Sequence, residues 1–526
     1  MTWCQPLKLP NYDNIVSLTP ALTTGGSQMT QISSGEGLQS ATSWLDARRW
    51  GGKLFYGEWS HAHSTIAVRE PATGESLGQV GESRPEDLKS VVARASDAQA
   101  GWAAKTAEER AAVFRRTAAV YEANRKELTD LIVRETGGLR GKAEMEVQGC
   151  IEELLHSAAI LVHPEGHILP SRHPERLSLA RRVPLGIVGV IAPWNVPMLL
   201  AMRSVAPAVA LGNAVILKPD PQTPIAGGVV LARAFEDAGL PTGVFNVVNG
   251  GAAVGEALVE AKGVRMITFT GSTAVGRRVG ELAGKNLKRV ALELGGKSPF
   301  IVLDDADLEA AASAGAWGSY LHQGQICMAS GRHIVLRKVA AEYVDLLTRK
   351  ASALPIGDPF RQNVAIGPLI NAKQLARVDQ IVKDTIAAGA TLMTGGTHEG
   401  PFYRPTVLSG VRSGMPAYDL EIFGPVAPVI VAEDEEEAIR IANDTDYGLA
   451  GAVQTASLER GLRVARRIRA GLVHINDQTI ADYAEIPFGG MGASGNGSRF
   501  GSMTNWEEFT EWQWLTVGGK PTRYPF

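Results

Sequence analysis

The chain of 526 residues is too long for one hydrophobic core, so two or three domains are expected. Its 45% hydrophobic and 20% charged residues suit a soluble globular protein, and 58 glycines suit an α/β fold with many tight strand–helix turns. A net charge of −3 gives no basis for nucleic acid or an anionic membrane as partner, and three scattered cysteines exclude a disulfide framework.

Residues 1–50 are rich in Ser, Thr, Gly and Gln and read as a mobile tail. They show no basic segment followed by an apolar run, and the first arginine is Arg48, so neither a secretory signal nor a transit peptide is expected. Cys4, Cys150 and Cys327 form no CxxC, which points to reduced thiols in a cytoplasm. His61 and His63 lack a second ligand pair, so no metal site is expected there.

From Ser83, "SRPE" reads as a capping box for a helix to about Ala103. "TAEE" at Thr106 opens a second helix that runs to Gly137-Gly138, and a third spans about Lys142 to Leu161. "RLSLARRV" and "GIVGVIA" are strands. Residues 183–202 are uncharged and long enough to span a bilayer, but Pro184, Pro193 and Pro197 would break such a helix. The order then alternates: a helix from Met198 to Leu211, the strand "AVILK", a helix from Thr223-Pro224 to Gly239, "GVFNVV", a helix after Gly251, "MITFT", a helix after Gly271, and "RVALEL". This alternation predicts a doubly wound parallel sheet. A second α/β series starts at "SPFIVLD" and runs to about Gly490. The late strand "EEFTEWQWLTV" should pair with another element or subunit.

Two glycine loops compete for a phosphate. Gly490-Met-Gly492-Ala-Ser-Gly495 has GxGxxG spacing but follows no clear strand and opens no helix. "FTGSTAVG", Phe269 to Gly276, lacks the spacing but sits between strand and helix, with Ser272 as N-cap. Lys218 ends another strand at the edge where open α/β sheets bind ligands.

Cys327 lies in "HQGQICMASGRH", flanked by His322 and His333. Alone, it is a buried hydrophobe or the nucleophile of a Cys–His hydrolase. Together, "APWN", "LKP", "FTGSTAVG", "LELGGKSP", "GQIC", "EIFGPV" and "PFGG" resemble the aldehyde dehydrogenase superfamily over about residues 55–526. "AMRSVAPAVALGNAVILKPD", "LHQGQICMASGRH", "VHINDQ", "GGMGASGNGSRFG" and the final "YPF" most resemble bacterial NAD-dependent benzaldehyde dehydrogenases.

The resemblance implies two doubly wound parallel-sheet domains plus a small oligomerisation or bridging β element. The implied boundaries are 51–164 and 184–295 for a Rossmann-type NAD-binding domain, 296–495 for the catalytic domain, and 165–183 with 496–526 for bridging. It implies Cys327 as nucleophile, Asn195 as oxyanion donor and Glu293 as base for thioester hydrolysis. It places the cofactor against Ile191, Trp194, Lys218, Gly251, Gly255, Phe269, Gly271, Ser272, Gly276, Leu294, Glu421 and Phe423. It places the substrate against Val196, Leu321, Ile326, Met328 and Phe488. These walls are apolar, so the expected substrate is an aromatic aldehyde such as benzaldehyde or a substituted benzaldehyde; vanillin-type, phenylacetaldehyde-type or aliphatic aldehydes are alternatives. A homodimer or homotetramer is expected.

The chain departs from the family pattern in three places. Pro221 stands where many relatives carry a ribose-binding Glu, which leaves NADP an open alternative to NAD. Val196 stands where Phe is common, and Ser204 where Lys is common.

Overall fold

The computed structural model describes residues 43–521 and 523–526. Residues 1–42, most of the expected tail, lie outside the described residues. Residues 43–50, the end of the expected tail, pack against the fold. Leu45 and Trp50 are each 1% exposed in the first core, and the Glu127 carboxylate accepts the Trp44 and Leu45 backbone N–H groups.

Two seven-stranded sheets organise the chain. The first has the order Arg289–Glu293, Val264–Thr270, Ile187–Ile191, Ala214–Lys218, Phe245–Val247, Lys53–Phe55, Trp59–His61. Its first five strands are parallel, and the last two add antiparallel at one edge. Ile187–Ile191 and Ala214–Lys218 are buried along their whole length, as continuous apolar runs between two helical layers must be. The second sheet runs Thr391–Thr394, Thr406–Ser409, Val426–Ala432, Ser330–Leu336, Ser298–Val302, Ala450–Gln454, Leu472–Ile475. Only Thr391–Thr394 is antiparallel. No described helix is long and apolar enough to cross a membrane.

A separate antiparallel sheet joins Gly166–Leu169, Arg176–Pro184 and Thr510–Gly518. Within the expected bridging segment 496–526, burial divides at Thr510. Phe500, Trp506 and Phe509 are buried in the first core, and only the strand from Thr510 leaves it.

Three helix expectations change. Ser83 is not the cap of the first helix. Its backbone N–H goes to Asn249 O and its hydroxyl accepts from Tyr56; Asp87 instead accepts the Arg84 N–H, ahead of the helix Leu88–Ala103. The long second helix is two, Ala107–Ala123 and Arg125–Thr136. Asn124 splits them by turning its side-chain amide onto Val120 O, a bond that competes with the helical ladder. The helix after Thr223-Pro224 begins as a π-helical turn, Ile225–Val229, whose first N–H groups are held by the buried Glu135 carboxylate at 2.8 and 2.7 Å.

Candidate active site

The two sheets are covalently joined by four residues, Leu294-Gly295-Gly296-Lys297, between strands Arg289–Glu293 and Ser298–Val302. The glycines are required by close approach. A Cβ on Gly295 would lie 2.4 Å from a Glu421 carboxylate oxygen, and one on Gly296 would lie 2.3 Å from Cys327 O. The chain therefore passes against the Cys327 turn directly after Glu293.

That turn is held by its glutamines. Gln323 Nε2 donates to Gly137 O at 2.7 Å and to Pro368 O at 3.0 Å, and Gln325 Oε1 accepts from Ile370 N at 3.0 Å. His322 and Gln323 both have positive φ, 50° and 57°, a conformation non-glycine residues hold only when the surroundings impose it. Gly138 is needed here because a Cβ would lie 3.0 Å from the His322 ring.

Asn195 follows the first-sheet strand Ile187–Ile191 and is 4% exposed. Its Nδ2 donates to Gln325 O at 2.9 Å, which leaves a second N–H for an oxygen near Cys327. Its backbone carbonyl accepts from Lys142 Nζ at 2.9 Å, and Lys142 pairs with buried Glu146. Glu146 also accepts the Met198 N–H at 2.8 Å, in the first turn of the helix Pro197–Ala210. One buried ion pair thus fixes Asn195 and the helix after it. Lys142→Met leaves the Glu146 carboxylate buried without its cation. It is expected to cost about 3–5 kcal/mol, read as a lower denaturant midpoint.

These pieces meet at a cavity of about 240 Å³ whose wall includes Trp194, Asn195, Gly271, Ser272, Glu293, Leu294, Cys327, Glu421 and Phe423. Trp194 and Phe423 pack edge to face, with centroids 5.4 Å apart. Glu421 accepts the Gly296 N–H at 3.0 Å, and burial raises its carboxyl to about 6. Glu293 is 5% exposed, and neither carboxylate oxygen has a hydrogen-bond partner. Burial raises its pKa well above the usual carboxylate range. Burial also pushes the Cys327 thiol up to about 12, and the charges of Glu421 and Glu293 add to the rise.

A thiol, an amide donor and a buried carboxylate thus share one cavity, beside a capped helix N-terminus, the set of groups that acyl transfer uses. The aldehyde dehydrogenase family model matches residues 59–515. The chain is 54% identical to a vanillin dehydrogenase of Amycolatopsis sp., over 92% of this chain and 100% of that one. It is 49% identical to a benzaldehyde dehydrogenase [NAD(+)] of Pseudomonas putida, over 91% and 98%.

The chain belongs to the aldehyde dehydrogenase family.

Among solved structures, a salicylaldehyde dehydrogenase from Pseudomonas putida G7, complexed with salicylaldehyde, superposes with a TM-score of 0.87 at 35% identity. The match covers 90% of this chain and 99% of that one.

Not every residue implied by the resemblance lines this cavity. Gly271 does, packed against the Phe269 ring, whereas Gly276 does not: a Cβ there would meet the Leu294 side chain at 2.3 Å. Ile191 is buried in the core beneath. Lys218 is 6% exposed, and its aliphatic stem passes Gly255; Gly251 precedes the helix Ala252–Glu260. Leu321, Ile326, Met328 and Phe488 form one apolar cluster touching Cys327, whereas Val196 stands outside it at the start of the helix Pro197–Ala210. Asp220, beside Pro221, accepts from Gln222 N at 2.9 Å.

Three further residues of the site carry no signal in the sequence. Gln374 and Arg377 line the cavity and hold the backbone carbonyls of residues 421–423. Lys142 sits 53 positions from Asn195, and only packing joins them. The GxGxxG run closes the other side of Glu293: Leu294 N donates to Ser494 O, and Gly495 bridges Glu293. His333 is committed to Ser319 at 2.7 Å and Tyr343 at 2.8 Å. His322 is fully buried, which keeps its ring neutral. The arrangement therefore favours a carboxylate over a histidine as the base.

Proposed function

We propose that this aldehyde dehydrogenase oxidises an aromatic aldehyde, benzaldehyde or a substituted benzaldehyde, to its carboxylic acid with NAD. The reading rests on the convergence of Cys327, Glu293 and Asn195 on one cavity. The aromatic substrate is supported by the apolar cluster of Leu321, Ile326, Met328 and Phe488 beside Cys327. It is supported also by the names of relatives that act on vanillin, benzaldehyde and salicylaldehyde.

Cys327 Sγ bonds to the aldehyde carbon. The free Asn195 N–H and the Cys327 backbone N–H hold the resulting oxyanion. NAD, when bound, accepts the hydride. The acyl group then stays on Cys327 as a thioester until Glu293 takes a proton from water and the acid leaves. Glu421, on the cavity wall, and Lys218, beside Gly255, would hold the cofactor's riboses, and Ser272 with the N-terminus of the helix Thr273–Lys285 would bind its phosphates. Residues 51–164 and 184–295 would hold the cofactor, and residues 296–495 would bring Cys327 to it. The exposed side chains Ile168, Leu177, Trp514 and Val517 of the three-stranded sheet suit a homodimer or homotetramer interface. The free thiols of Cys150 and Cys327 suit an enzyme of the cytoplasm.

The test is NADH absorbance at 340 nm over benzaldehyde, hydroxybenzaldehydes, vanillin, phenylacetaldehyde and hexanal, with NAD and with NADP. Benzaldehydes with NAD should give the highest kcat/KM. No signal from any aldehyde with either cofactor overturns the reading. A hexanal preference overturns its aromatic part, and equal rates with NADP overturn its cofactor part.

A further inference from the structure

Behind Cys327 lies a second cavity of about 20 Å³, lined in part by Arg203, Ser204, Thr270, Glu293, Cys327 and Phe488. That volume holds about one water. Arg203, on the helix Pro197–Ala210, is 4% exposed. Its Nε donates to Glu153 at 3.4 Å, its Nη2 pairs with Asp482, and its guanidinium lies 4.5 Å from the Phe488 ring centroid. Its Nη1 is buried without a partner, and so are both Glu293 oxygens. A cation with an unused donor and a carboxylate with two unused acceptors therefore border one water-sized space. Buried polar atoms left unpartnered are costly, and one shared water would satisfy Nη1 and a Glu293 oxygen together.

We propose that Arg203 is a positioning residue for thioester hydrolysis: its Nη1–H orients the water that Glu293 deprotonates, its charge favours the carboxylate form of Glu293, and Asp482 competes for that charge. The inference rests on the reading of Glu293 as deacylation base. In the step, the water gives a proton to Glu293 while its oxygen bonds the acyl carbon. The C–S bond then breaks, and its electron pair returns to Cys327 Sγ, which takes up a proton.

The charged groups acting on Glu293 come from four places. Arg203 and Arg499 favour the carboxylate, and Asp482 and Glu508 oppose it. Arg499 is not among the residues that line this cavity, whereas Arg203 lines it and keeps an uncommitted N–H. Glu293 acts in its ionised form, so its contribution is lost as pH falls through its pKa. Removing Arg203 should move that acid limb up, and removing the Asp482 charge should move it down.

The experiment follows the NADH burst and the later steady state of the full-length enzyme with benzaldehyde and NAD, from pH 6 to 9.5. Arg203→Met should keep the burst, slow turnover about tenfold at pH 7 and recover toward pH 9, an acid limb about one pH unit higher. Arg203→Lys should fall between Arg203→Met and the parent. Asp482→Asn, which leaves Arg203 in place, should shift the limb the opposite way and serves as the test if Arg203→Met does not fold. An unmoved limb in Arg203→Met, or shifts of the same sign in both variants, overturns the proposal. So does a change confined to preference among ring-substituted aldehydes, which would make Arg203 a substrate contact. If Glu293→Gln itself keeps the parent's limb, the reading of Glu293 fails instead, and the two failures are distinguishable.

Discussion

Cys327→Ala should abolish the NADH burst and lower turnover by roughly 10⁴-fold or more, the scale on which loss of a nucleophile acts. The fold should survive, because the Cys327 turn is anchored by Gln323 and Gln325 rather than by the thiol. Stopped-flow absorbance at 340 nm reads the burst, and circular dichroism checks the fold. A burst of normal amplitude in this variant would mean that another group attacks the aldehyde. The thiol needs help to react: burial among Glu421 and Glu293 holds it protonated near neutral pH, with its pKa at about 12. Glu293 and Glu421 are also the carboxylates on that cavity able to accept its proton.

Glu293→Gln should separate the two halves of the reaction. Attack and hydride transfer need no base on water, so one NADH per active site should appear. Turnover should then fall by about 10²–10⁴-fold as the thioester accumulates on Cys327. Mass spectrometry of the stalled enzyme should find the acyl group, a benzoyl group when benzaldehyde is used. A normal steady state would remove Glu293 from deacylation. The burial that raises the Glu293 pKa is what makes the carboxylate basic enough for this work, at the cost of an acid limb in the rate profile.

Much of the architecture is written in local pattern. The uninterrupted apolar runs "GIVGVIA" and "AVILK" predict central parallel strands, and both lie buried in the first sheet. Ser272 before a helix after an apolar strand predicts the cap that forms, with the Ser272 hydroxyl accepting from Val275 N. The misses are equally local in origin. A capping box read at Ser83 forms one residue later because Ser83 is drawn to Asn249 and Tyr56, neighbours that only the fold supplies. Asn124 reads as an ordinary helix residue until its side chain takes Val120 O and splits the helix.

Residue type and order by themselves determined the family motifs, the alternation of strands and helices, and the identities of Cys327, Glu293 and Asn195 as a set. Tertiary structure alone decided how they meet. Gly295 and Gly296 let one strand end pass within contact of Cys327. Lys142 reaches Asn195 across 53 positions. Arg203, whose charge has no visible direction in the sequence, is shared between Glu153 and Asp482 while one donor stays without a partner. The physical reason is range. Periodicity and capping act over one to four residues, whereas the partners of buried charges such as Arg203 are chosen by packing between segments tens to hundreds of residues apart.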